Sequence, residues 1–339
     1  MNTTSSSVTL RWVDLIRVIG AFLVVMAHVA YTGAGPVLAS TYYFVISRVA
    51  VPLFFMVSGF LLLKKEEPYG VFFRKRAVKV AVPFLVWSVI YLLWKREGFE
   101  TGFSLDLVVS YVVKIVRGPR ENHLWFFYAL IGLYLFTPIL RVFVARASKT
   151  DLFYFCGLWF LVVPIFSLLQ EFTPIKIGFE LYFVAGYTGY FLLGHVLGLF
   201  EFSRKQLYGL AVLFLFLSVL TAYLDLQSNL LKWNTQYFVS YLSVNIVLLT
   251  VAAFILLREI PIDDRWYAFL APLGRASFGI YLVHVIVLTE LEKIPAIHYW
   301  FSAGSSVYMI PLLGLFGFAV SYLIVAVVQN IPVLRWAMP

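Results

Sequence analysis

Charged residues and cysteine are scarce in this chain of 339 residues. Asp, Glu, Lys and Arg together make up 13% of it, hydrophobic residues make up 62%, and Cys156 is its single cysteine. Soluble domains carry about 25% charged residues, so this composition excludes that class and indicates an integral membrane protein. One cysteine also excludes an intramolecular disulfide.

Two further patterns are missing from the sequence. The alternation of polar and apolar residues that is typical of outer-membrane barrels is absent, and the apolar runs are continuous and about twenty residues long. There is no glycine-rich phosphate loop, which argues against a nucleotide-hydrolysing site. We therefore predict an all-α, polytopic helical bundle that meets membrane lipids and no nucleic acid. The predicted spans are 15–33, 42–63, 78–94, 124–143, 152–169, 180–199, 207–224, 237–257, 272–291 and 305–330.

The distribution of basic residues predicts the orientation of these ten spans. With the N-terminus inside, seventeen of the 26 Lys and Arg residues fall on the inner side and eight on the outer side. Cytoplasmic loops carry an excess of such residues, so the count predicts an N-in, C-in topology in the plasma or inner membrane. The segment 104–117 is too short and too charged to span, and we expect it to form an interfacial helix.

The spans leave no room for a separate soluble domain. We predict one membrane-embedded domain over 1–339, with a short cytoplasmic leader at 1–14 and an extracytoplasmic segment at 95–123. Chemistry would then take place within the bundle or at its two mouths.

Ionisable residues in the first apolar run are the first candidates for function. A charged or titratable group inside a spanning helix is costly, and it indicates function unless it faces water or protein. Eleven residues at about 100° each place His28 within about 20° of Arg17, roughly 16 Å further along the same face. Asp14 lies one turn before Arg17 and is placed to pair with it. Snorkelling of Arg17 to the interface, with His28 as a packed polar residue, is the alternative.

A second candidate site lies in the inner loop 64–79, which holds six basic and two acidic residues. Arg74, Arg76 and Lys79 cluster where a helix begins, and there the backbone N–H groups and the helix dipole also favour an anion. Arginine suits phosphate through its forked donors. The cluster predicts a site for a phosphorylated cofactor or a lipid headgroup, and positive-inside bias is the alternative explanation.

Other polar residues lie in the outer half. Arg48 is about two turns into the second span, and pairing with a distant acid such as Glu180 or Glu290 is its alternative role. His123 and Trp125 open the fourth span, where an interfacial histidine beside an aromatic belt is the alternative to a substrate site. We interpret three further polar residues as hydrogen-bonding groups between packed helices: His195, Asn245 and His284.

Five motifs in order resemble the membrane acyltransferase family 3. They are the pair Arg17 and His28 with ten residues between them, the run FFMVSGFLL from Phe54, the basic step Arg76 to Lys79, HLWFFYALIGLYLFTPIL from His123, and SFGIYLVH ending at His284. The resemblance covers nearly the whole chain. It departs from the family at Lys79, where an arginine is usual, and at Pro52, where many relatives carry an acidic residue before the paired Phe. Pro52 is expected to kink its helix and to leave Arg48 without that partner.

The resemblance implies transfer of an acyl group, commonly acetyl, from acyl-CoA to a surface glycan or lipid-linked sugar. By resemblance, Arg74, Arg76 and Lys79 would hold the phosphates of the donor, and no metal is expected. His28 would act as general base or acyl carrier, with Arg17 and Asp14 shaping the donor channel. Arg48, His123 and Trp125 would face the acceptor. A transporter with an Arg/His relay and a glycan-export partner are the alternatives, and the acyl group, the acceptor and the oligomeric state stay open.

Overall fold

The computed structural model describes residues 10–32, 37–95, 104–231, 233, 235–303, 306–332 and 334–339. Throughout these residues the regular elements are helical and no strand occurs, so the prediction of an all-α bundle is confirmed. The early helices are α1 (Arg11–Thr32), α2 (Val37–Ser47), α3 (Ala50–Leu63), α4 (Tyr69–Arg76), α5 (Val82–Trp94), α6 (Leu105–Arg117) and α7 (Trp125–Arg146). The later ones are α8 (Lys149–Phe160), α9 (Phe166–Phe172), α10 (Thr188–Leu197), α11 (Arg204–Leu230), α12 (Val244–Arg258), α13 (Asp264–Glu292), α14 (Pro295–Ala303) and α15 (Ser306–Gln329).

Nine helical segments of the described chain are long and apolar enough to cross a membrane. They correspond to nine of the ten predicted spans, and α10 is a shorter apolar helix in the region of the tenth. The predicted N-in, C-in orientation stays a prediction. The segments are Arg11–Tyr31, Leu38–Leu63, Tyr69–Trp94, Asn122–Arg146, Lys149–Phe172, Arg204–Leu230, Tyr237–Arg258, Asp264–Glu292 and Val307–Gln329.

The prediction of a continuous helix over 180–199 is wrong in its first half. The chain forms a short 3₁₀ turn at Tyr182–Val184, and Gly186 has a left-handed backbone with φ of 66° before α10 begins. The carbonyl of Gly186 accepts a hydrogen bond of 2.8 Å from the indole of Trp159. Non-helical backbone is tolerated at membrane depth where protein groups satisfy it, and this contact is such a case.

The second span is broken where the sequence predicts a kink. Residues 48 and 49 form a turn between α2 and α3, one turn before Pro52. Pro52 has no N–H to donate to the carbonyl of Arg48, and its ring crowds that carbonyl. The break therefore falls at Arg48, whose side chain leaves the helix at this point.

A proline also reshapes the third span. Between α4 and α5 the helix widens into a π turn at Ala77–Ala81, in which the N–H of Val82 bonds the carbonyl of Ala77. Pro83 cannot donate to the carbonyl of Lys79, which leaves the α-helical bonding pattern incomplete there. Such turns are frequent at functional sites, and this one carries Lys79.

Helix α6 has 13 residues, too few to cross a bilayer, as the sequence predicts. Its buried side chains Leu107, Tyr111 and Ile115 recur every four residues and form one face of the helix. Ser104 caps its start by accepting a hydrogen bond of 3.2 Å from the N–H of Leu107.

Small residues hold α3 and α10 in close contact. A Cβ built on Gly59 would lie 1.7 Å from the carbonyl oxygen of Phe191, and one on Gly194 would lie 1.9 Å from that of Met56. Such glycine contacts let helix backbones approach closely in membranes. Helix α1 packs against α2, α3, α12, α13 and α15, so it lies in the interior of the bundle and carries its polar residues there.

Candidate active site

A cavity of about 440 Å³, here called the outer cavity, brings four of the predicted site residues together. Its position follows from α1, which has His28 near its end, and from the break between α2 and α3. The four predicted residues in its lining are His28, Arg48, His123 and Trp125, and Glu121 and Tyr241 also face it.

The imidazole of His28 is oriented through its Nδ1 atom. This atom lies 2.9 Å from the carbonyl oxygen of Val24, one turn earlier on α1, and 3.4 Å from Nε2 of His284. A carbonyl oxygen can only accept, so Nδ1 carries the proton and donates it. The lone pair of a neutral His28 is therefore on Nε2, which is the basic nitrogen of the ring.

His284 on α13 is fully buried and completes this arrangement. Its Nδ1 lies 2.7 Å from the carbonyl oxygen of Tyr281, so this nitrogen is the donor and Nε2 is the acceptor. The acceptor nitrogen faces Nδ1 of His28, and the two ring centroids are 4.7 Å apart. His284 thus favours the same His28 tautomer as Val24 does.

A third imidazole, that of His123, lies beside this pair. Its ring centroid is 5.0 Å from that of His284 and 6.2 Å from that of His28. The side chain is buried, and neither ring nitrogen has a hydrogen-bond partner among the residues described. The carbonyl of His123 accepts a hydrogen bond of 2.6 Å from the hydroxyl of Tyr281. In the described part of the chain, no group of three or more His, Cys, Asp or Glu residues could hold a metal ion.

Arg48 extends into the outer cavity from the helix break. Its Nε donates to the carbonyl of Val239 at 2.6 Å, and Nη1 donates to the hydroxyl of Tyr241 at 3.0 Å. The guanidinium also lies 3.8 Å from the centroid of the Tyr241 ring and 5.1 Å from that of Phe44. These contacts fix the direction of the side chain without neutralising its charge.

The two acids that the sequence offered as partners for Arg48 are not its partners. Glu290 bonds Lys293 at 2.7 Å and the indole of Trp94 at 3.1 Å. Glu180 is an exposed residue, and it forms no salt bridge with Arg48 in the described structure.

A second cavity of about 370 Å³, the inner cavity, lies near the start of α1. Arg17 lines it, with 38% of its side chain exposed, and Asp14 contacts Arg17 at 3.2 Å. Asp14 also accepts a hydrogen bond of 3.1 Å from the hydroxyl of Tyr267, so it positions Arg17 from behind the cavity wall. Lys79 and Arg275 line the same cavity, which therefore has three cations.

Of the three basic residues predicted to hold phosphate, the structure brings only Lys79 to the inner cavity. Arg74 is exposed, and it is not part of the cavity lining. Arg76 faces Glu67 at 3.5 Å and lies 4.7 Å from the ring centroid of Phe72.

The two cavities share one wall. Tyr281 lines both of them, and the inner cavity ends against Phe54 and Phe126. The Tyr281 ring centroid is 5.3 Å from that of Phe126 and 6.3 Å from that of Phe54. These three rings, here called the aromatic wall, line the cationic inner cavity, and Tyr281 among them also lines the cavity that contains His28.

The family of this chain follows from its match to a known family model. The model of the acyltransferase-3 family, described as an acyltransferase domain, matches residues 10–329. The chain belongs to the acyltransferase-3 family. The resemblance predicted from the motifs is confirmed, and the chain is a multi-pass membrane protein that carries the acyltransferase domain of that family.

The curated relatives that the chain matches are longer proteins. It is 29% identical to a serine/alanine racemase from Enterococcus gallinarum over 77% of this chain and 35% of that protein. It is 27% identical to an amino-acid racemase from Enterococcus faecalis over 47% of this chain and 25% of that protein. The chain thus spans between a quarter and about a third of the length of these two relatives. No solved structure matches it.

Two residues of the candidate site, His284 and Arg275, are not predicted as site residues from the sequence. The place of His284 at the end of the SFGIYLVH motif is the only feature of the sequence that points to a role in the site. Its contact with His28 cannot be predicted from spacing, because the two positions are 256 residues apart in the chain. Arg275 is one of the seventeen inner basic residues of the predicted topology, and nothing in its spacing indicates that it would line a cavity with Arg17 and Lys79.

Glu67 joins three helices at the predicted inner end of the acyltransferase. Its carboxylate, 5% exposed, lies 2.8 Å from Lys75, 3.2 Å from Arg141 and 3.5 Å from Arg76. The hydrogen bond from Lys75, supported by Arg141, lowers the pKa of Glu67 from 4.5 to about 2. Arg141 also donates to the carbonyl of Leu62 at 2.8 Å, so the cluster ties α4 and α7 to the end of α3.

Proposed function

We propose that this acyltransferase moves an acetyl group from cytoplasmic acetyl-CoA to a hydroxyl of an extracytoplasmic or lipid-linked glycan, in the plasma or inner membrane. The observation that carries the proposal is the pair of cavities on either side of Tyr281. One is cationic and suits the phosphates of a CoA donor, and the other contains an oriented imidazole and suits a hydroxyl acceptor.

The donor would be held by Arg17, Lys79 and Arg275, whose charges suit anionic phosphates. Lys79 binds as a point charge, whereas the two arginines offer forked donors. The flexible arm of the donor would then extend toward Tyr281 and bring the thioester to the aromatic wall. Arg74 and Arg76 would remain outside this contact, with Arg76 held by Glu67.

The chemical step would use Nε2 of His28 as general base. This atom takes the proton of the acceptor hydroxyl while the oxygen attacks the thioester carbonyl, forming the new C–O bond. Collapse of the tetrahedral intermediate breaks the C–S bond, and the departing thiolate takes the proton from the imidazolium. Hydrogen bonds from Nδ1 to Val24 and His284 hold the ring in the required tautomer.

The acceptor would enter the outer cavity beside Arg48, His123 and Trp125. The Trp125 ring centroid is 5.2 Å from that of Tyr241, which gives the cavity an aromatic side against which a sugar ring can lie. His123 has no hydrogen-bond partner for either ring nitrogen in the described structure, so it is suited to meet a polar substrate.

Sealed, right-side-out vesicles test the direction of this transfer. They are loaded with labelled acetyl-CoA, and a glycan acceptor is supplied only outside. We expect label on the outer acceptor, and little of it with Arg17→Ala, because that variant loses a cation of the inner cavity. Arg117→Gln is a matched control, because this exposed arginine of α6 lies outside both cavities. Labelling that requires donor and acceptor on the same side would contradict the vectorial part of the proposal.

A further inference from the structure

The outer cavity holds an arginine, Arg48, that forms no ion pair with a carboxylate of the described residues. In the described part of the chain, no Asp or Glu oxygen lies within salt-bridge distance of Arg48. Its hydrogen bonds go to two uncharged oxygens, the carbonyl of Val239 and the hydroxyl of Tyr241, and its Nη2 makes none with the described residues. One side of the guanidinium fork is therefore available to a ligand.

Neither of the two acidic groups nearby forms an ion pair with Arg48. Glu121 lines the cavity, but its carboxylate forms an ion pair with Lys95. Asp225 on α11 is buried, is not part of the cavity lining, and forms no salt bridge with Arg48. Arg48 therefore has no ion-pair partner in the outer cavity, and Glu121, the acid in the lining, is paired with Lys95 instead.

An arginine without a carboxylate partner inside a spanning segment is energetically costly. Such residues pair with one another, with backbone carbonyls or with a substrate. Arg48 is held in place by Val239, Tyr241 and the ring of Phe44, so its orientation is set before any ligand arrives. A pre-oriented cation recognises an anion well, because little reorganisation accompanies binding.

We propose that the acceptor carries an anionic group, a carboxylate or a phosphate, that pairs with Arg48 while its hydroxyl reaches His28. This inference rests on the proposed function and specifies the substrate class of the same site. Both residues line one cavity of about 440 Å³, which has room for a charged sugar unit. The guanidinium fork suits both carboxylate and phosphate, because each offers two oxygens in the matching geometry.

A binding measurement tests the proposal without any transfer. The purified protein in nanodiscs is titrated, in the absence of donor, with methyl glucuronide, glucose 1-phosphate and the uncharged methyl glucoside. We expect at least tenfold tighter binding of one or both anionic sugars than of methyl glucoside. The two anionic arms show whether the cavity takes a carboxylate or a phosphate. Equal affinity for all three sugars would overturn the inference.

Variants assign the selectivity to Arg48. Arg48→Gln should bring the affinity ratio of anionic to neutral sugar close to one, and Arg48→Lys should keep part of it because the charge remains. Arg117→Gln removes the same charge from outside the cavity and should keep the full ratio. If Arg48→Gln keeps the full ratio, another residue carries the selectivity and the inference is wrong.

The same sugars in a transfer assay with acetyl-CoA separate this inference from the proposed function. Acetylation of the anionic sugars at least tenfold faster than of methyl glucoside supports both. Acetylation of all three at equal rates leaves the function standing and overturns the anionic acceptor. Donor binding without acetylation of any sugar overturns the proposed function, and the inference with it.

Discussion

Replacing His284 with alanine is the most direct test of the histidine pair. The side chain is fully buried, and its Nε2 accepts from Nδ1 of His28 across 3.4 Å. We expect His284→Ala to slow acyl transfer, because the hydrogen bond that helps to orient the base and to stabilise its charged form is lost. The contact from His28 to Val24 at 2.9 Å remains in this variant, so the base keeps its tautomer.

The geometry sets the size of the effect. A separation of 3.4 Å is longer than the usual N–H hydrogen bond, so the contact is worth about 0.5–1.5 kcal/mol. Because about 1.4 kcal/mol corresponds to a tenfold change in rate, His284→Ala should lower kcat between about twofold and tenfold. His28→Ala removes the proposed base and should lower kcat by about 10²–10⁴. The two variants should therefore differ by at least one order of magnitude.

The assay is acetyl transfer by protein in nanodiscs, normalised to the folded fraction measured by gel filtration. His284→Gln can place an acceptor oxygen near the lost Nε2 and should recover part of the rate. His195→Ala is the matched control, because it also removes a buried imidazole, from α10 and outside both cavities described above. It should leave kcat per folded molecule unchanged, although removal of a buried side chain lowers stability.

Two results would refute this reasoning. If His284→Ala loses as much activity as His28→Ala, His284 takes part in the proton transfer itself. If His284→Ala and wild type have the same kcat, the contact between the two rings does not influence the base.

Three further predictions concern the inner half. Lys79→Gln should weaken the binding of acetyl-CoA in a salt-sensitive manner, and it should do so more than Arg76→Gln. The reason is that Lys79 lines the inner cavity, whereas Arg76 faces Glu67. Equal losses of affinity in a binding titration would contradict this prediction. Glu67 should stabilise the fold above its ordinary pKa of 4.5, and this stabilisation should disappear as the pH falls through its folded value of about 2. Thermal unfolding from pH 6 to pH 2 should show that loss in wild type, and a smaller one in Glu67→Gln. Phe54→Ala should shorten the aromatic wall and raise the relative rate with butyryl-CoA over acetyl-CoA in a competition assay, and an unchanged ratio would show that the wall does not select the acyl chain.

The sequence predicts the bundle well because its signals are local. Continuous apolar runs of about twenty residues mark a spanning helix wherever they occur, and nine such helices are present in the described chain. Pro52 likewise acts on the turn just before it, so the break at Arg48 could be predicted. The prediction of a helix over 180–187 is wrong because apolar composition does not distinguish a helix from an irregular segment. In such a segment a partner such as Trp159 can satisfy a backbone carbonyl instead.

The candidate site is harder to predict because it depends on contacts between distant helices. Spacing on α1 indicated that Arg17 and His28 share a face, and the structure places them in two cavities that meet at Tyr281. No local pattern of the sequence predicts that α13 places His284 beside His28 and Arg275 in the inner cavity. Lys79, which lies in the π turn, lines the inner cavity, whereas Arg74 and Arg76 do not, and only the packed bundle shows this difference.

The single aromatic wall at Tyr281 has an electrical consequence for the proposed reaction. In that reaction the strongly anionic CoA would stay on its own side of the wall, and an acyl group and a proton would be the groups that exchange across it. The acyl group would move outward and carries formally one positive charge. The proton of the acceptor hydroxyl would move inward to the thiolate and carries one positive charge in the opposite direction. No net charge crosses, so a membrane voltage, which acts on a moving charge with about 2.3 kcal/mol per 100 mV, does no work on the transfer. The acetylation rate in vesicles should then be the same in the presence and absence of an imposed potential.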